Sequence, residues 1–286
     1  MVKYFNFYYF LYIAIAFGLL FGFYFILRNR SKKTASIVLF IILLSSFILH
    51  FLKLHFEPYR SWMPNAIRTV TPENLCAVSV LIFPWLFISK NNILKDYMFF
   101  MGVISGFAAT IIPIDVIDFN AFSFETFRFY YCHIIIWVVP LLMVLLKLHT
   151  IDYKRIIKVP FISYLVLLII LLNEVILIGL DFVPISFLFS NEIRNSSLIF
   201  GPLPDVKFLS DLFLALTPKI FTIIPFGVKA GQVFYWPIIW LVIPYYVYFC
   251  ITAFLFSLPF EFANVKKDII YFIDAKRQWL SSRFQD

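Results

Sequence analysis

A thiol, an imidazole and a carboxylate lie inside long apolar runs of this 286-residue chain: Cys76, His133 and Glu174. A polar or charged group at membrane depth is costly and tends to mark function. An imidazole that removes a thiol proton turns sulfur into a nucleophile, and a carboxylate can orient that imidazole as the third member of a relay. Asn173 adjoins Glu174 and shares its orienting role. Arg128 carries a guanidinium suited to holding a lipid phosphate bidentately. Tyr131, three residues on, belongs to the aromatic belt that settles at membrane interfaces. Structural readings stand beside these. A free Cys packs as a small hydrophobe, a His in a span bonds a neighbouring helix, and Glu174 can pair with Arg128.

The elements that would position these residues follow from composition. The chain is 62% hydrophobic and 14% charged, with 38 Phe and 8 Gly, whereas soluble domains are about a quarter charged. The fold expected is an all-α polytopic membrane bundle. Spans of roughly 20 apolar residues are expected near 4–27, 35–52, 71–89, 97–114, 127–146, 159–180 and 233–258. The first run is too long and too late-ending for a signal peptide. The stretch 208–227 contains Asp211, Pro218, Lys219 and Pro225 and is expected to be interfacial or re-entrant. Residues 1–258 then form one transmembrane domain, and 259–286 a basic amphipathic tail on anionic lipid.

Orientation comes from the basic residues. Fifteen of the 24 Lys and Arg lie in the connections 28–34, 90–96 and 147–158 and in the tail. Seven spans with an outside N terminus place all four groups in the cytoplasm of a cell-membrane protein, as the positive-inside rule prefers. Within that frame Thr71 caps the third span, with Pro72 and Glu73 in its first turn, which puts Cys76 about 7.5 Å deep. His133, six residues after Phe127, and Glu174, six before Leu180, come out at about 9 Å from the same side. Three helices thus aim polar groups at one level, and the connection 181–232 is long enough to cover it.

Other features are assigned structural roles. Gly102 and Gly106 form a G-x-x-x-G that permits close helix contact. Cys132 is rotated about 100° from His133 and faces elsewhere. Pro84, Pro140 and Pro244 are expected to kink their spans. Asp115, Asp118 and Glu125 are expected in a solvated loop, and His50, His55 and His149 near span ends. The 3 Cys form no C-x-x-C pair, and there is no Walker loop, H-E-x-x-H or G-x-S-x-G. Neither a metal nor a cofactor is expected. The net charge of +8 serves topology rather than nucleic-acid binding, and the expected partners are membrane lipids.

The segments Thr71-Pro72-Glu73-Asn74-Leu75-Cys76 and Phe127-Arg128-Phe129-Tyr130-Tyr131-Cys132-His133 resemble the YwaF-like bacterial membrane proteins. These are similar to a eukaryotic transmembrane acyltransferase of ether phospholipids. A later piece, Asn195 to Pro204, looks like that family's Gly-Pro-x-Pro stretch. The chain departs in carrying Glu73-Asn74 where bacterial relatives usually show Leu-His. The resemblance implies Cys76 as nucleophile and His133 as base, with an acyl group passing through a Cys thioester, in a lipid acyltransferase or lipid-ester hydrolase. A transporter or lipid-binding protein without covalent chemistry is the other class the same polar cluster would serve.

Overall fold

A computed structural model describes residues 1–187, 197–202 and 207–283. Among them every regular element is helical, and the only β pairing is an isolated bridge between Ile223 and Val233. The main helices are α1 (Phe7–Leu27), α2 (Lys32–Leu52), α3 (Leu75–Ile88), α4 (Asn92–Met101), α5 (Phe107–Ile111), α6 (Phe124–Leu145), α7 (Val159–Gly179), α8 (Lys207–Leu216) and α9 (Val242–Arg283). Side-chain caps start several of them. Asn6, Ser31 and Ser123 accept the backbone N–H three residues on, satisfying donors that the first helical turn leaves open.

Among the described residues six stretches are long and apolar enough to cross a membrane: 7–27, 32–55, 92–116, 124–145, 153–179 and 239–280. The multi-pass helical architecture is therefore as expected, but α3 is not among the six. Its 14 residues give about 21 Å of rise against a hydrocarbon core of about 30 Å. Thr71 does not cap it. Its Oγ1 donates to Arg68 O at 2.6 Å, and Glu73 N–H bonds Thr71 O at 2.7 Å, so residues 71–73 form a turn. Asn74 caps instead, its Oδ1 accepting Ala77 N–H at 2.8 Å.

Helix α6 is the axis of the bundle, packed against α1 to α5. Of its apolar window 72% is buried, against 22% for α1 and 28% for α2, so those two turn most of their surface to lipid. Between α4 and α5 the helix widens into a π-turn, Gly102–Gly106. A Cβ on Gly102 would lie 2.4 Å from Ile136 O, and one on Gly106 2.9 Å from His133 O. The two glycines are thus where α6 backbone replaces a side chain. Their spacing predicted the close contact but not the π-turn.

The N terminus lies at the end of the bundle where α3 and α6 begin. Val2 N–H bonds Phe119 O at 2.9 Å, Asp118 N–H bonds Val2 O at 2.8 Å, and Tyr12 donates to Ala121 O at 2.6 Å. At that end the stretch 208–227 holds the 10-residue α8 and a short 3-10 turn at Lys219–Phe221. This is too short to cross, consistent with an interfacial or re-entrant piece. The last helix differs from expectation at both ends. It starts at Val242, so Pro244 sits in its first turn and interrupts no bond. It then runs without a break through residue 258 into the tail, with Pro259 inside it. Its start adjoins the Val159 half of α7, where the Tyr164 hydroxyl donates to Leu241 O at 3.0 Å and Tyr246 to Ile157 O at 3.1 Å.

Candidate functional site

Cys76 is the second residue of α3, not a residue five positions into it. Asn74 takes the N–H of Ala77, and the Leu75 N–H donates to Ser197 Oγ at 3.2 Å. Between them the Cys76 N–H makes no hydrogen bond to any described residue. The thiol therefore stands at the positive end of a helix dipole beside an uncommitted backbone donor. The π-turn that packs against the start of α3 carries Ser105. Its hydroxyl donates to Met101 O at 2.6 Å.

The depth of this position is set by α7. Asn173 Nδ2 donates to Thr71 Oγ1 at 3.0 Å, and Asn173 lies six residues inside the Gly179 end, about 9 Å along that helix. The turn before α3 is thus sunk to the Asn173 level. Glu174, the next residue, is 4% exposed.

His133 sits in α6, which packs directly on α3 and on the π-turn. Its Nδ1 lies 2.8 Å from Phe129 O. A carbonyl only accepts, so Nδ1 carries the proton and the neutral ring presents its lone pair at Nε2. Phe129 O thus orients the ring, a task expected of Glu174 or Asn173. No hydrogen bond joins His133 to Cys76 among the described residues. Cys132 faces α2, with Sγ 3.9 Å from Ser46 O, so the adjacent thiol is directed away as its helical phase requires.

Arg128 is not open at the interface. Its Nε donates to Glu125 Oε2 at 2.8 Å, its Nη2 reaches Glu125 Oε1 and also Tyr59 Oη at 3.2 Å, and Tyr59 donates to Glu125 Oε1 at 2.9 Å. Glu125, expected in solvent, is 8% exposed because this pair carries it inward. Burial raises the Tyr59 phenol above its usual range, so it stays a donor. Arg128 Nη1 has no partner among the described residues. Lys53 is buried nearby, donating to Thr69 O at 2.6 Å with its ammonium 5.1 Å from the Tyr59 ring centre. His50 Nε2 lies 3.2 Å from Val70 O. Tyr131 Oη shares a 2.6 Å hydrogen bond with Ser45 Oγ, tying α6 to α2.

The segment Ser197–Pro202 lies over the start of α3. Trp240 Nε1 donates to Leu198 O at 2.9 Å, Ile238 N–H bonds Ile199 O at 3.1 Å, and Gly201, at φ +141°, packs against the Tyr235 ring. Asn195, Ser196, Leu203 and Pro204 of the expected Gly-Pro-x-Pro stretch lie outside the described residues. Sequence reasoning missed Ser105 and the role of Ser197, and gave Thr71 a capping role it does not have. For Ser105 the signal was its place between two glycines; Ser197 acts through a contact 122 residues away.

Two polar clusters lie elsewhere. Asp96, fully buried at the start of α4, binds His149 Nε2 at 2.7 Å and Arg155 Nε at 2.6 Å. His149, expected to be ordinary at a span end, is thus part of a buried ion network. Asp268 on α9 accepts from Tyr153 and Lys154, each at 2.5 Å.

A family model described as the TMEM164 family matches residues 3–217, which include α1 to α8 and every residue of the candidate site. No curated protein and no solved structure matches the chain.

Proposed function

Because the chain belongs to the TMEM164 family, a family of transmembrane proteins, we propose that it is a membrane-embedded acyl-transfer enzyme acting on lipid esters through Cys76. The observation that carries the reading is Cys76 as second residue of a capped helix, its own N–H uncommitted, beside an α6 whose His133 holds a fixed tautomer. The likeness of its two motifs to YwaF-like proteins and to a lipid acyltransferase adds to it.

In the proposed reaction the thiol proton passes to His133 Nε2 as bound substrate brings α3 and α6 into register, since catalytic hydrogen bonds often tighten only in the complex. The thiolate attacks the ester carbonyl. The Cys76 N–H and the helix dipole face the oxyanion that forms. Collapse breaks the acyl C–O bond, and the departing lyso-lipid oxygen takes the proton from His133, leaving a thioester. An acceptor hydroxyl, or water, then gives its proton to Nε2 and attacks the thioester. The C–S bond breaks and sulfur regains the proton. Arg128 keeps Nη1 for a headgroup phosphate, Tyr131 flanks it, Asn173 positions the turn before Cys76, and Glu174 has a positioning role at the same level.

The test is a labelled-acyl experiment. Purified protein given phospholipid with a labelled acyl chain is expected to form an adduct that hydroxylamine removes, and Cys76→Ala to form none. An adduct of equal yield in Cys76→Ala removes Cys76 from the mechanism. Unaltered phospholipid binding in both proteins, with no adduct in either, favours noncovalent ligand handling.

A further inference from the structure

At the end of the bundle opposite the Cys76 site, a cleft of about 410 Å³ opens sideways between α2, α3, α4 and α6. Its size falls within the range of small-molecule sites. The walls are Ile37, Phe40, Phe87 and Met143, and the polar groups are Ser36 and Lys95. Ser36 is five residues into α2 and Lys95 four into α4, so both sit at the membrane-surface rim beside Met143, two residues from the end of α6, while Phe40 lies one turn deeper. Neither the Lys95 ammonium nor the Ser36 hydroxyl bonds a described residue. The neighbouring carboxylate, Asp96, is committed to His149 and Arg155. The same end carries Arg28, Arg30, Lys32, Lys33 and Lys90, which makes the rim positive.

A half-buried cation and a hydroxyl without protein partners, at the mouth of a lipid-open apolar cleft, are complementary to a phosphate diester with a chain attached. We propose that this cleft holds one anionic phospholipid, an acyl chain against Phe40 and Met143 and the phosphate on Lys95 and Ser36. This site is independent of the thioester chemistry and lies at the other membrane face.

Native mass spectrometry of the full chain in detergent, with equal phosphatidylglycerol and phosphatidylcholine added, tests it. The wild type is expected to retain one phosphatidylglycerol in preference to phosphatidylcholine. Lys95→Gln should lower that preference about fivefold, the size of one cation at an anionic lipid surface. Ile37→Trp, at a half-exposed wall position where a larger ring is tolerated, should fill the cleft and lose the retained lipid of either kind. An unchanged preference in Lys95→Gln, or undiminished retention in a monodisperse Ile37→Trp protein, overturns the proposal.

Discussion

At His133 the decisive partner is a backbone carbonyl four residues earlier, which holds the proton on Nδ1 and leaves the lone pair at Nε2, the atom the proposed reaction uses as base. Replacing His133 by Ala should therefore slow adduct formation by about 10²- to 10⁴-fold, the usual worth of a positioned base, while phospholipid binding persists. Rapid-quench labelling separates the two. Glu125→Ala is expected to act differently: it strands a buried guanidinium at about 3–5 kcal/mol, seen as lost stability on unfolding in detergent rather than as a selective loss of rate. Cys76 and His133 were legible in the sequence because a thiol and an imidazole stand out in apolar runs. The Glu125–Arg128–Tyr59 group was not. Tyr59 is 66 residues from Glu125, and nothing local shows that a loop carboxylate is drawn inward.

Among the elements, the start of α3 shows how a sound local signal is overridden. Thr71-Pro72-Glu73 has the composition of a capped helix start, yet the Thr71 hydroxyl is claimed by Arg68 O and Asn173, leaving Asn74 to cap. Asn74→Ala should cost about 1 kcal/mol and, by loosening the turn that presents Cys76, reduce acylation more than it reduces the melting temperature. A matched pair of thermal melts and adduct yields reads that difference. The π-turn gives a sharper case. Gly102→Ala drives a methyl to within 2.4 Å of Ile136 O, and Gly106→Ala meets the His133 carbonyl. Backbone cannot yield as a flexible side chain can, so each should cost at least the about 1–3 kcal/mol typical of overpacking, Gly102→Ala the more. Equal melting temperatures for wild type and Gly102→Ala would refute the close approach.

For the whole molecule, the hydropathy pattern sufficed for a multi-pass helical bundle, since apolar length needs no partner to be read. The expected span 71–89 is instead the 14-residue α3 preceded by a polar turn held by Asn173, which apolar length alone does not reveal. Val2 pairs with the loop before α6, which places the N terminus on the same side as Cys76. With the basic connections on the other side, an impermeant maleimide applied to intact cells should label a Cys placed at the exposed residue 3 and leave one at the exposed residue 150 unlabelled. The reverse pattern would turn the site to the cytoplasm.

Helix α9 spans about 63 Å if straight, from the Trp240 that grips the segment over Cys76 to beyond the Asp268 clasped by Tyr153 and Lys154. A rod held near both ends is a lever, with Pro259 as its one joint. A force on the tail is thereby delivered to the cover of the thiol some tens of ångströms away. Cutting the chain after residue 264 removes the far clasp but not the site, and should quicken alkylation of Cys76 without any change in the residues around it.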